Sequence, residues 1–130
     1  MRTYPENSSD ALARIMSVAI FADGMPDPRE LSLAQSPAIQ ARLGYDSTQF
    51  QRVMAEFCAD LGDRRPESRD MIAVTPEDVG RLLDEITDPA KQAVACRSVF
   101  EVICADRRAH AAETGILREM VRHWDASPPA

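Results

Sequence analysis

Residues 45–62 read YDSTQFQRVMAEFCADLG, and the apolar positions Phe50, Val53, Met54, Phe57, Cys58 and Leu61 recur at steps of three and four without a gap. That period places six side chains on one face of an α-helix, whose surface neighbours are three and four residues apart. A strand would require alternation instead. Nowhere in the chain do four or more residues alternate apolar and polar among β-branched types, so the expected fold class is all-α.

Punctuation on either side of this helix places further ones. Upstream, QSPAIQARLG carries Pro37, which interrupts a helix, and Gly44, which closes one, giving two short helices or one kinked helix. Before it, DPREL offers Asp27 as a cap, Pro28 at the first helical position and Glu30 three after the cap. The first helix runs from about Ser9 to Asp23, with Leu12, Ile15, Met16, Ala19 and Ile20 as its stripe. Downstream, GDRRPESRD at 62–70 has no apolar residue and reads as an exposed loop.

VTPEDVGRLLDEI then starts a helix with Thr75 as cap and Pro76 first, turning Val79, Leu82, Leu83 and Ile86 inward. Asp88 and Pro89 repeat the start signal for a helix carrying Ala93, Cys96, Val99, Phe100 and Ile103. A last helix near Ala111 to Trp124 aligns Leu117, Met120, Val121 and Trp124. The whole chain, 1–130, reads as one domain, with 1–8 and 125–130 as loose termini.

A chain of 130 residues with 45% apolar and 28% charged side chains has the composition of an ordered globular domain large enough for its own core. Its net charge of −6 offers no field for phosphate backbones, and Lys or Arg never run beyond pairs, so nucleic acid is not an expected partner. The first twenty residues hold an acidic and polar stretch where a signal peptide needs a continuous apolar one, and no run approaches membrane-spanning length. Neither export nor insertion is expected; peripheral membrane association stays open, as does oligomeric state.

Cys58, Cys96 and Cys104 each sit among apolar residues, and no pair has the CxxC spacing of zinc or redox sites. They read as small buried hydrophobes in a reducing cytoplasm, shielded from thiol chemistry.

A phrase is repeated. IFADGMPDPRE at 20–30 and ICADRRAHAAE at 103–113 share Ala-Asp and a Glu seven residues after the Asp. Asp106 stands 83 positions after Asp23, and the same offset pairs Ile20 with Ile103, Glu30 with Glu113 and Leu33 with Ile116. Both copies describe a helix ending at an inward Asp, a short connection, and a helix with Glu in its first turn. The pairing suggests a pseudo-two-fold relation between the halves.

A carboxylate in the last turn of a helix opposes the macrodipole by roughly 0.3–1 kcal/mol. One compensation is capping, in which Asp23 accepts backbone N–H groups at the start of the following helix. The other is a cation: Asp23, Glu30, Asp106 and Glu113, with Asp27 as a fifth oxygen donor, form a set suited to Ca²⁺ or Mg²⁺. The EF-hand is excluded, since a loop counted from Asp23 places Ala34 where its bidentate Glu belongs.

With SVAIFADGMPDPREL, FEVICADRRAHAAETGILREMV, SPAIQARLGYDSTQF and the TDPAKQ helix start, the chain resembles the TerB-like domain of bacterial tellurite-resistance and stress proteins, from about Asp10 to Trp124. The resemblance implies a compact bundle of about seven helices with an internal pseudo-two-fold helix-hairpin repeat. It also implies an acidic cluster suspected of binding metal, with Asp23 and Glu30 matching the first motif and Asp106 and Glu113 the second. Arg107 stands where the family often has Gly, and His110 where the first copy has Asp27. A guanidinium there can pair with the carboxylates in place of an ion.

The resemblance implies a non-catalytic stress or tellurite-response protein that binds a divalent cation or other proteins. The alternative from the residues is a helical protein–protein interaction module without metal, its acidic residues serving as helix caps. An enzyme is not expected: GxSxG, P-loop and dinucleotide fingerprints are missing, and no Glu stands three before either histidine, His110 or His123, as a di-iron bundle requires.

Overall fold

The structure is a computed structural model. It describes residues 3–20, 28–64, 76–104 and 111–124, and at 61–64, 76–77 and 111–115 it describes the helix backbone alone. The described residues form seven helices and no strand: α1 (Ser9–Ile20), α2 (Pro28–Ala34), α3 (Pro37–Leu43), α4 (Ser47–Arg64), α5 (Pro76–Asp84), α6 (Pro89–Ile103) and α7 (Ala111–Trp124). None of them is long and apolar enough to cross a membrane.

Proline opens four of the seven, at Pro28, Pro37, Pro76 and Pro89, where its missing N–H costs no hydrogen bond and its fixed φ suits the first turn. Side-chain oxygens satisfy other first-turn donors. Ser8 Oγ accepts from Ala11 N at 3.1 Å, Asp46 from Gln49 N at 2.7 Å and Asp88 from Ala90 N at 3.0 Å. At the end of α3, Gly44 takes φ 77° and its N–H bonds to Gln40 O, the left-handed stop that glycine supplies most easily. The stretch around Pro37 is therefore two helices rather than one kinked helix.

α4 continues through Gly62, Asp63 and Arg64, which the sequence reading gave to an exposed loop. Polarity alone does not stop a helix, and the next proline is Pro66. The inward face of α4 is as its period predicts: Phe50, Val53 and Phe57 are buried, while Met54 packs against the core from its edge.

α1 is the hub. Every residue from Ala11 to Ile20 is buried, and the helix packs against α2, α3, α4, α5, α6 and α7. The sequence expectation of a single stripe was too narrow: a helix enclosed on all sides buries its whole circumference. That enclosure also takes in Arg14 and Ser17.

α6 buries Cys96, Val99 and Ile103 as expected, but its inward face is rotated away from Ala93 and Phe100. Ala95, Cys96, Ser98, Val99, Val102 and Ile103 are buried, whereas Ala93 is exposed and Phe100 is 36% exposed. The run Ala93-Val94-Ala95-Cys96 is apolar at four consecutive positions, so periodicity cannot fix the rotation of this helix about its axis.

α5 and α7 close the remaining side of α1. Val79, Leu82, Leu83 and Ile86 face inward as expected, and the Trp124 indole N–H donates to Leu83 O at 2.9 Å. A small apolar cavity lies between Ile15, Val18, Val79 and Met120, with about 10 Å³ of room. That is about the space one water occupies, so this gap is imperfect packing rather than a ligand chamber.

Candidate functional site

Of the four carboxylates that the sequence points to, Asp23 and Asp106 lie outside the described residues, and Glu113 is placed only by its backbone in the first turn of α7. Asp27, Arg107 and His110 also lie outside them. Glu30 is the candidate whose side chain is described. It sits in the first turn of α2 and is 1% exposed. Negative charge is favoured at a helix start, but removing a carboxylate from water is costly, so Glu30 needs more of an account than the sequence gave it. Among the described residues, no group of three or more His, Cys, Asp or Glu side chains is placed to hold a metal ion.

A heavily bonded polar cluster among the described residues lies elsewhere, on the hub helix. Arg14 is 1% exposed; its guanidinium pairs with Glu85, just after α5, and lies 4.4 Å from the centroid of the Tyr4 ring. The Tyr4 N–H donates to Glu85 Oε2 at 2.8 Å and its hydroxyl to Glu56 of α4 at 2.6 Å. Glu56 also accepts from Arg52, which reaches Asp10 on α1 at 2.7 Å. Asn7 completes the seam: its N–H donates to Glu85 O at 2.7 Å, and its Oδ1 accepts from the backbone N–H groups of Thr87 and Asp88 at 2.8 and 3.0 Å.

Residues 3–8, expected as part of a loose terminus, are thus bonded to the α5–α6 connection and across the N-terminal end of α1. Sequence reasoning passed over this cluster. The available signal was Arg14, a single charge inside ALARIMSVAI, a run otherwise without charge. Its partner is 71 positions away, beyond any local pattern.

The described carboxylates are largely committed to the protein's own groups. Asp46 and Asp88 cap helices, Glu85 and Glu56 hold the seam, Glu101 binds Arg42 of α3 and Arg97 of its own helix, and Asp84 meets His123 of α7 at 2.6 Å. The exposed pairs among them contribute about 0–1 kcal/mol each. Their role is orientation more than stability.

The cysteines differ from one another. Cys96 is buried, Cys58 is half-buried, and Cys104 is exposed, against the expectation of three buried thiols. Cys104 caps the end of α6, four residues beyond exposed Phe100, so it continues the outer side of the helix. Burial pushes the Cys96 thiol up to about 11 and raises that of Cys58. Alkylation of the native protein at neutral pH should modify Cys104 first, Cys58 slowly and Cys96 only on unfolding, as peptide mass analysis over time would show.

The raised thiol also makes stability depend on pH. Between the ordinary value of 9.0 and about 11, the unfolded chain has released the Cys96 proton that the folded chain retains. Stability is therefore fully present below pH 9 and falls by roughly 2–3 kcal/mol as pH rises to 11. Burial likewise raises Tyr45 above its ordinary 10.0, which adds a loss of the same sign at higher pH. Urea midpoints measured from pH 8 to 11 should fall, and Cys96→Ala should flatten the lower part of that slope.

Compared with protein-family models, curated proteins and solved structures, the chain matches none of them.

Proposed function

We propose that this protein is a non-catalytic helical module that acts by binding other proteins, and that its acidic residues cap helices and pair with its own cations. The observation carrying this reading is Phe100. It is a large aromatic side chain 36% exposed on α6, on the same outer side as Ala93, Arg97 and Cys104, while the methionines of the predicted stripes pack in or against the core. Aromatic rings beside Arg are enriched where proteins dock. The commitment of the described carboxylates within the fold supports the same reading. The absence of a spanning helix among the described residues and the unpaired thiols are consistent with action in a reducing cytoplasm.

Buried Glu30 favours a second reading. A carboxylate taken out of water at the end of the ADGMPDPRE stretch suits a TerB-like stress protein in which Asp23, Glu30, Asp106 and Glu113 hold Ca²⁺ or Mg²⁺ across a pseudo-two-fold pair of helix hairpins.

Thermal unfolding of chelator-treated protein with Ca²⁺, Mg²⁺, Mn²⁺ or Zn²⁺ added singly separates the two. The interaction reading expects midpoints within one degree of the metal-free value. A cation at a hundred times its dissociation constant would instead add about 2.7 kcal/mol. An upward shift of several degrees that disappears in Asp23→Ala would overturn the first reading in favour of the second.

A further inference from the structure

Residues 3–8 belong to no helix, yet they bond to the body of the protein as a bound peptide does. Two main-chain N–H groups, of Tyr4 and Asn7, donate to the Glu85 carboxylate and the Glu85 carbonyl. One aromatic ring covers a buried guanidinium, and one Asn side chain accepts from two consecutive backbone N–H groups, at Thr87 and Asp88. Main-chain bonds joined to side-chain anchors at fixed spacing are how bound peptides are recognised, and here the segment turns between its anchors, the Ser8 N–H donating to Pro5 O at 3.1 Å with Asn7 at φ 60°.

The receiving groups are set in place by the helices rather than by the arm. The Glu85 and Ile86 N–H groups close the end of α5 onto Leu82 O and Leu83 O, and Asp88 caps α6. Thr87 and Asp88 precede the first turn of α6, so their N–H groups lie outside its hydrogen-bond ladder and point to whatever lies there. Arg14 is held by Glu85 on the enclosed hub helix. Tyr4 is the arm's aromatic anchor, whereas the bonds of Glu6 and Asn7 to Thr87 are exposed, so a competing segment can replace them one by one.

We propose that this seam is a recognition site for a turn-forming segment of a partner protein that carries an aromatic residue and, three residues later, Asn, and that residues 3–8 fill it in cis as a displaceable plug. The inference rests on the interaction reading and names a partner chemistry for it. It uses a surface other than the Phe100 side of α6.

The test uses a fluorescent synthetic peptide with the sequence of Thr3 to Ser9, TYPENSS, and the full chain carrying Tyr4→Ala and Asn7→Ala. The emptied seam should bind the peptide saturably and at least tenfold more tightly than the wild-type chain does. Replacing Tyr or Asn of the peptide by Ala should each weaken binding about tenfold. A folded double variant that does not bind at millimolar peptide would overturn the proposal while leaving the α6 surface untouched.

If the double variant does not fold, the wild-type chain at millimolar peptide decides by NMR. Shifts of the Thr87 and Asp88 amide resonances support displacement of the plug, and unmoved resonances overturn it.

Discussion

Replacing Arg14 by Ala should destabilise the fold by about 3–5 kcal/mol, the range expected when one partner of a buried ion pair is removed and the other stays behind. The Glu85 carboxylate is only 11% exposed, so it would lose its guanidinium without gaining much water. Tyr4 would lose the cation under its ring, and the hub helix would gain a void where a long side chain had been. A domain of this size has about 5–15 kcal/mol of stability in total, so the variant would sit near the edge of folding.

The comparison that isolates the cause is Arg14→Met, which keeps the volume and discards the charge, alone and together with Glu85→Leu. Met alone still strands Glu85 and should remain costly. The double variant should recover much of the loss, because two apolar groups of similar volume strand no charge. Urea unfolding with an unchanged m-value is the measurement. A cost below 1 kcal/mol for Arg14→Ala would mean that the pair behaves as an exposed one, and would remove the energetic basis for the seam.

How much of this was readable beforehand depends on whether the information was local. The prolines at 28, 37, 76 and 89 each act on the turn they occupy, and each opens a helix as its position implies. Gly44 is equally local, and its left-handed φ ends α3 where the sequence places the stop. The rotation of α6 depends instead on which of four adjacent apolar residues its neighbours accept, so Phe100 was assigned inward and lies outward.

The hub role of α1 is a property of six other helices, and its own stripe could not announce it. The Arg14–Glu85 pair and the docking of Tyr4 and Asn7 join segments 71 to 81 positions apart, and nothing in either segment names the other. In the acidic motif, the Asp–Glu spacing was visible, but the burial of Glu30 follows from packing that spacing does not encode.

Phe50→Ala should have an effect of the same size by a different route, about 3–5 kcal/mol, through lost burial and a cavity its neighbours cannot fill. Phe50 is 0% exposed on α4, the helix that packs along the hub, and its ring stacks on Tyr45 with centroids 5.2 Å apart. The Tyr45 hydroxyl donates to Ala34 O at 2.6 Å, so the ring that loses its support also ties the end of α2 to the start of α4. Part of the expected cost is therefore loosening of that bond between helices. Phe50→Leu fills most of the space and should cost about 1–2 kcal/mol, near the value for a change of shape rather than of burial. Met54→Ala lies at the edge of the same stripe and should fall well below Phe50→Ala, because less of its surface leaves water. The order of the three urea midpoints tests the helical reading of residues 45–62 directly. Equal small losses in all three variants would mean that this face does not anchor α4 to the hub, whatever its spacing suggests.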